Sequence, residues 1–271
     1  MTTAAARACT ALALSCAAAA APAQDGEPQA RWALGGALAW SPIYAGAGQH
    51  ELRLRPLWVL QHGRWRIGTS RSAQLMDFGN GARGSGASAE LLRTDGFKLG
   101  IGARIDSGRR AARSPTLSGL PDIPRTLRAR VYASQALDRQ WTLSASLTQD
   151  VLGRGGGALL GAGIGWRHPL GERSEWSAAA GLTWADARHM QTWYGIDPAA
   201  HARGAPAVYR PGAGLRDWTI GTGVATTLAP HWVLYAQVGL SSLQGGAAAS
   251  PLTPRDQAVS ASIGIGYRCC R

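Results

Sequence analysis

Residues 125–151, RTLRARVYASQALDRQWTLSASLTQDV, decide the fold class of this chain. Over residues 125–134, and again over residues 140–151, apolar side chains alternate with polar ones. A period of two is typical of a β-strand, because successive side chains point to opposite faces of a sheet. Each run is about 10 residues long, the length that a tilted strand needs to cross a bilayer. The stretch therefore predicts two transmembrane strands joined by the short link Leu137–Gln140.

The same alternation recurs along most of the chain and predicts further strands. It is clear in residues 97–106, where every second side chain is apolar. Counting all such runs gives twelve strands, with ten as the alternative. The predicted strands are 31–40, 52–61, 64–71, 87–93, 97–106, 125–136, 141–151, 157–168, 174–185, 216–228, 232–243 and 257–268.

A soluble β-sandwich would show the same alternation, so the chemistry of the two faces has to separate it from a membrane barrel. The polar face carries Arg, Lys, Asp, Ser and Gly, which suits a wet lumen. Tryptophan occurs near strand ends, where indole meets the boundary between hydrocarbon and headgroups. Tryptophans near a predicted strand end are Trp32, Trp40, Trp65, Trp141, Trp166, Trp176, Trp184, Trp218 and Trp232.

The connections between predicted strands alternate between short and long. Leu137–Gln140 is short, whereas Ser107–Pro124 and Asp186–Arg216 are long; only Leu152–Gly156 departs from the alternation. Short turns on one side and long loops on the other are typical of bacterial outer-membrane barrels. We therefore predict an all-β protein, a closed antiparallel transmembrane β-barrel of the Gram-negative outer membrane, in which closure pairs every strand.

Composition excludes several classes of protein. The chain is 45% hydrophobic and 16% charged, which argues against disorder. Its net charge is +12, but the cations, all Arg except Lys98, are scattered singly, which disfavours nucleic acid as a partner. After the N-terminus no run of about 20 apolar residues occurs, which excludes a helical membrane protein. Cys269 and Cys270 are adjacent at the C-terminus, so we expect no internal disulfide framework.

The first 23 residues are interpreted as a cleaved signal peptide. Arg7 supplies the positive charge, residues 8–21 form an apolar segment, and Ala21-Pro22-Ala23 fits a small-x-small cleavage site. The remaining residues, 24–271, are predicted to form a single barrel domain.

Motifs in the predicted long loops occur in a fixed order along the chain. Pro42, Tyr44 and Gly46 form P-x-Y-x-G, and Gly119 and Asp122 belong to the segment LSGLPDI. The other motif residues are Asp186, Met190, Tyr194, Gly195, Tyr209, Ser250 and Pro251. In these motifs the chain resembles the MipA/OmpV family of outer-membrane proteins. It departs from the family at His189, where Tyr is usual, and at its end, where Arg271 replaces an aromatic residue.

The resemblance implies a non-enzymatic scaffold that links outer-membrane lipid to a murein hydrolase or synthase complex. The short periplasmic turns offer little surface for such a partner. The alternative is a porin-like channel for small anionic solutes, lined by Arg104, Arg128 and Arg130, which lie on the polar face of their strands. These arginines could instead form ion pairs with acids such as Asp106 and Asp150.

An enzyme is disfavoured, and no cofactor or metal site is predicted. Ser41, Asp186 and His189 lie on the same side of the predicted barrel, but no G-x-S-x-G elbow accompanies them. His189 and His201 lack the spacing of metal ligands. For the loop motifs we favour a structural role, in which Tyr and Asp bind loop backbone. A binding or gating surface is the alternative.

Overall fold

The computed structural model describes residues 30–69 and 86–269 and forms a closed antiparallel barrel of twelve strands. Each strand pairs with its neighbours in sequence, and the first strand pairs with the last. The strands are β1 (Arg31–Pro42), β2 (His50–His62), β3 (Trp65–Gly68), β4 (Gly86–Arg93), β5 (Phe97–Asp106), β6 (Thr126–Ala136), β7 (Trp141–Asp150), β8 (Ala158–Leu170), β9 (Ser174–Ala185), β10 (Gly214–Ala229), β11 (Trp232–Leu243) and β12 (Gln257–Cys269).

Closure depends on β1 and β12, which pair from Trp32–Cys269 to Trp40–Ala261. It removes the free sheet edge, whose backbone groups would find no partner in lipid. The predicted fold class and the count of twelve strands are therefore confirmed, and the alternative of ten strands is wrong. Predicted strand ends agree within two residues except at the end of β3, which stops at Gly68 rather than at 71.

The outward face of the barrel is a band of exposed apolar side chains. Leu52, Leu54 and Ile220 are 66%, 77% and 55% exposed, and similar residues follow on the other strands. An apolar surface of this extent is not stable in water but matches the hydrocarbon of a membrane. The outward side chains of the strands therefore contact lipid.

The inward face near the short turns is packed with side chains. Leu57, Val59, Val233 and Tyr235 form a buried cluster there with small alanines. The ring of Tyr235 lies over Gly264, where a Cβ atom would come within 2.6 Å of Cε1. This end of the lumen is consequently narrowed by the barrel's own side chains.

The long connections that the structure describes lie on the opposite side, together with the β7–β8 link that departs from the predicted alternation. That link, residues 151–157, packs closely against the β9–β10 loop, where the carbonyl oxygen of Gly156 lies 2.8 Å from Nδ1 of His189. Gly157 has a φ of +58°, and a Cβ atom there would overlap Asp186 and His189. Only glycine fits this close approach. The predicted signal peptide, residues 1–23, lies outside the described residues, as does the segment 70–85.

Candidate functional site: the loop cap and the arginines beneath it

The outer loops fold together into one unit over the mouth of the barrel. We define the cap as residues 43–49, 107–125, 151–157, 186–213 and 244–256. Three short helices lie in it: α1 (Ala187–Tyr194), α2 (Pro198–Ala202) and α3 (Gly245–Ala248). None of the helices in the described ranges is both long and apolar enough to cross a membrane.

The two longer helices begin at aspartates that cap their N-termini. Asp186 accepts a hydrogen bond from the backbone N–H of His189 at 2.7 Å, and Asp197 accepts one from Ala200 at 2.6 Å. Pro198 occupies the first position of α2, where its missing N–H is not needed. The sequence prediction treated Asp186–Arg216 as a loop without helices. The Asp-Pro pair was the one local signal that could have indicated α2.

Two hydrophobic cores hold the cap in place. In the lower core, Met190 and Tyr194 of α1 pack against Leu159 and Leu243 of the barrel wall. In the upper core, Leu117, Ile196 and Leu252 come from three different loops and are fully buried. Burial of such side chains contributes about 2 kcal/mol each, so the loops are stabilised by one another as well as by the barrel.

Hydrogen bonds from motif residues join the loops across the cap. The Tyr44 hydroxyl donates to the carbonyl of Leu252 at 3.2 Å, and the Tyr209 hydroxyl donates to Gly246 at 2.9 Å. The Ser250 hydroxyl donates to the carbonyl of Tyr194 at 2.6 Å. Each bond links segments distant in sequence, so these three side chains fix the relative positions of three loops.

The remaining motif residues occupy tight positions in the same unit. Asp122 accepts the backbone N–H of Ala111 at 2.7 Å. Gly119 and Gly46 have φ of +76° and +98°, and a Cβ atom on either would come within 3 Å of a neighbouring residue. A Cβ atom on Gly195, which ends α1, would overlap Gln191. Pro42 ends β1, and Pro251 is exposed between the third helix and β12.

A cluster of charged side chains lies directly beneath the cap. Arg128 is 1% exposed, and its Nε donates to a carboxylate oxygen of Asp106 at 2.7 Å. Arg216 forms an ion pair with the adjacent Asp217. The ring of His189 lies between these arginines, 3.5 Å from Nη2 of Arg128 and 3.4 Å from Nη1 of Arg216.

The contacts of His189 define its protonation state. Its Nδ1 lies 2.8 Å from the carbonyl oxygen of Gly156, which can only accept, so Nδ1 carries the proton. Nε2 is then the acceptor for Arg216, whereas Nδ1 cannot accept from Arg128. Burial, together with the positive charges of Arg216 and Arg128, lowers the pKa of His189 to about 3. The imidazole is therefore neutral at physiological pH.

Arg104 and Arg130 extend this basic surface down the inward face of β5 and β6. Arg104 pairs in register with Arg128, and the Arg130 guanidinium lies 5.5 Å from the centre of the Tyr132 ring. Inward positions on the described strands carry more cations than anions. The cations are Arg31, Arg53, Arg55, Arg66, Arg93, Lys98, Arg104, Arg128, Arg130, Arg167, Arg216 and Arg268, and the anions are Glu51, Glu90, Asp106, Asp150, Glu175 and Asp217.

The contacts of the cap do not assemble a hydrolytic triad from Ser41, Asp186 and His189. The Asp186 carboxylate binds the backbone N–H of His189 rather than its ring, so it does not orient the imidazole. Ser41 lies in β1, opposite Glu51. Over residues 30–69 and 86–269, no group of three or more His, Cys, Asp or Glu side chains is placed to hold a metal ion.

Comparison with known proteins gives one match to a family. The profile of the family described as MltA-interacting protein MipA matches residues 34–269. No curated protein matches the chain.

Among solved structures, several outer-membrane proteins are similar to this chain over most of its length. The KdgM porin shares 11% identity at a TM-score of 0.41, with 87% of this chain and 98% of that chain covered. OmpT of Vibrio cholerae shares 9% identity at a TM-score of 0.42, and the match covers 91% of this chain and 99% of that chain. The anion-selective porin from Comamonas acidovorans shares 10% identity at a TM-score of 0.41, and the match covers 89% of this chain and 99% of that chain. Similarity this low assigns no function to the chain.

Proposed function

The chain belongs to the MipA family and is an outer-membrane β-barrel, and we propose that it is a non-enzymatic adaptor that holds a murein-remodelling enzyme beside the outer membrane. The family description names an interaction with MltA. For this chain the partner is proposed by class only, as a murein hydrolase or synthase on the periplasmic side.

The observation that carries the proposal is the packing of the cap. The apolar side chains of the outer loops pack against one another, as in the buried cluster of Leu117, Ile196 and Leu252. A barrel whose outer mouth is occupied by a folded unit is better suited to anchoring a partner protein than to letting solutes diffuse through its lumen. The rim of short turns is then the surface that faces the murein.

The rim offers charged side chains but no long loop. Arg93 forms an ion pair with Glu90, and together with Arg64 they line a crevice of about 350 Å³ next to the turn at Gly63. A stable interface buries roughly 800 Å² on each partner, so a periplasmic enzyme would have to contact several turns at once. We expect such a complex to be sensitive to salt, because exposed charges dominate the rim.

Site-specific photo-crosslinking tests the adaptor role. A photoreactive residue would replace Arg64, Arg139 or Arg173 on the rim, and Arg113 or Arg203 on the cap as matched controls. We expect the rim positions to crosslink a purified murein hydrolase and the cap positions not to do so. Crosslinking from the cap alone, or from no position with a folded barrel, would contradict the proposal.

The second candidate is a channel for small anionic solutes, and it is favoured by the inward-facing arginines. Planar-bilayer recordings of the refolded mature chain test it. Anion-selective steps that lose selectivity in Arg130→Glu, but not in the cap control Arg203→Glu, would support a channel. A folded barrel without current would contradict it. Arg130 is the residue to change, because Arg128 is buried in an ion pair and its loss would disturb the fold.

A further inference from the structure

Hydrogen bonds to the backbone connect three arginine positions at the outer rim of the barrel, outside the lumen. Arg154 donates through Nη1 to the carbonyl of Arg125 at 2.6 Å, and Arg188 donates through Nη2 to the carbonyl of Gly153 at 3.1 Å. All three side chains are exposed. Each of these bonds holds one guanidinium group against the backbone through a single terminal nitrogen. We call Arg125, Arg154 and Arg188 the arginine rim.

The arginine rim lies immediately above the apolar band of the barrel. Val151 donates its backbone N–H to the carbonyl of Leu127 at 3.0 Å, and their side chains, 50% and 37% exposed, form the last apolar row. Arg125 precedes Leu127 by two residues, which corresponds to about 7 Å along a strand. Leu152 is also exposed beside the rim. The three cations therefore stand at the level where acyl chains give way to headgroups.

Within residues 30–69 and 86–269, no carboxylate forms an ion pair with these three cations. In the described ranges, the ion pairs involve other arginines. Asp122 and Asp197 line the same crevice as Arg154, but neither forms one of the ion pairs of the described ranges. Asp186, two residues before Arg188, accepts the backbone N–H of His189. Asp150, four residues before Arg154, faces inward and accepts the backbone N–H groups of Gly156 and Leu152 at 2.8 and 3.1 Å. It also accepts the hydroxyl of Thr126. The positive charge of the rim is thus left for a ligand from outside the chain.

We propose that the arginine rim binds the phosphorylated glucosamine headgroup of lipid A in the outer leaflet. Guanidinium groups bind phosphate oxygens through paired N–H donors, which makes arginine the preferred residue for this contact. The acyl chains of the same lipid would lie along Leu127, Val151 and Leu152. A free phosphate would use the cations but not this apolar row, and for that reason we assign the site to the lipid. The inference depends neither on the adaptor role nor on a channel.

Native mass spectrometry of the refolded mature chain tests the proposal. The protein in detergent micelles would be titrated with diphosphoryl lipid A, with its dephosphorylated form, with phosphatidylglycerol and with inorganic phosphate. We expect saturable binding of diphosphoryl lipid A, and binding at least about tenfold weaker for each of the other three. Equal binding of the dephosphorylated lipid, of phosphatidylglycerol or of inorganic phosphate would overturn the assignment, and this comparison needs no variant.

Variants then locate the site. The triple variant Arg125→Gln, Arg154→Gln, Arg188→Gln should bind diphosphoryl lipid A about tenfold more weakly than the unchanged chain. The matched control Arg110→Gln, Arg203→Gln, Arg210→Gln removes the same charge from elsewhere on the cap and should stay within twofold. A heat-dependent gel shift would establish that both are folded. Equal losses in the two variants, or no loss in the first, would overturn the proposal.

Discussion

At the scale of single residues, His189 links the cap to the barrel wall. Its ring is 3% exposed and touches Gly156, Arg216 and Arg128, so a charged imidazole there would face two arginines without a carboxylate contact of its own. The lowered pKa has a direct consequence for stability. Between pH 6.5 and about 3 the unfolded chain binds a proton at this position and the folded chain does not. The folded state therefore loses stability as the pH falls through this window.

His189→Gln should reduce this acid sensitivity. Glutamine can donate to Gly156 and accept from Arg216 but does not titrate. Comparing urea unfolding at pH 7.5 and 4.5, we expect the loss of stability to be about 2–3 kcal/mol smaller than in the unchanged chain. His201→Gln, at an exposed position of the cap, is the control for the His-to-Gln exchange itself. Equal pH dependence in His189→Gln and the unchanged chain would contradict the explanation.

Arg128 and Arg130 lie two residues apart on the same face of β6, but we expect their substitution to change the free energy of unfolding by different amounts. Arg128→Met leaves Asp106 without its cation and should lower the free energy of unfolding by about 3 kcal/mol, as for other buried ion pairs that lose one partner. Arg130→Met removes a contact with the Tyr132 ring and should cost less than about 1 kcal/mol. Chemical unfolding followed by tryptophan fluorescence measures both.

The double variant Arg128→Met, Asp106→Asn provides the internal check. It should recover part of the loss, because no unpaired carboxylate is left beneath the cap. Similar losses in both single variants, with no recovery in the double variant, would mean that the ion pair does not stabilise the barrel.

At the scale of strands, glycines allow tyrosine rings of neighbouring strands to pack closely against the sheet. Gly264 of β12 lies under Tyr235 of β11, and Gly100 of β5 lies under Tyr132 of β6. A tyrosine ring that covers a glycine restores contacts that the missing side chain would have made. The ring can lie flat on the sheet only because no Cβ atom intervenes.

Gly264→Ala should therefore destabilise the barrel by about 1–3 kcal/mol, since its Cβ atom would come within 2.6 Å of Cε1 and 2.8 Å of Cζ of Tyr235. The temperature at which the folded band is lost in a heat-dependent gel shift measures the effect. Gly36→Ala in β1 is the matched control, because a Cβ atom there meets nothing within 4 Å. If the control were equally unstable, backbone freedom rather than the tyrosine contact would be responsible.

Strands and helices differed in how far the sequence predicted them. Strand ends were predicted closely, because alternation is a local property of each strand and lipid requires a closed sheet. The helices of the cap were missed, since α1 spans only Ala187–Tyr194 and α2 only Pro198–Ala202. Helices this short depend on packing rather than on intrinsic propensity. Met190 and Tyr194 acquire that packing only when the loop meets β8 and β11.

At the scale of the whole molecule, aromatic side chains form a belt near the short turns. Trp141, Trp166 and Trp176 contact one another across β7, β8 and β9, with centroids 6.5 and 5.1 Å apart. On the opposite flank Tyr267 packs against Trp32 and Trp232 at 5.8 and 5.5 Å. Such a belt marks the boundary between hydrocarbon and headgroups.

Fluorescence quenching by brominated lipids tests this placement. We expect bromine atoms near the headgroups to quench the intrinsic fluorescence of the refolded barrel more strongly than bromine atoms at the bilayer centre. A variant that keeps tryptophan only at positions 141, 166 and 176 isolates the belt. Stronger quenching of that variant from the bilayer centre would contradict the position assigned to the apolar band.

The sequence by itself predicted the barrel: its strands, a count of twelve with ten as the alternative, and the common side of the long loops. Those features follow from alternation and turn length, which are read from neighbouring residues, and from the demand of lipid for a sheet without edges. The tertiary structure alone decided how the loops meet. Tyr44 binds Leu252 across 208 residues of sequence, and His189 reaches Arg128 across 61. No local pattern encodes such contacts, because they exist only once closure brings the loop ends together.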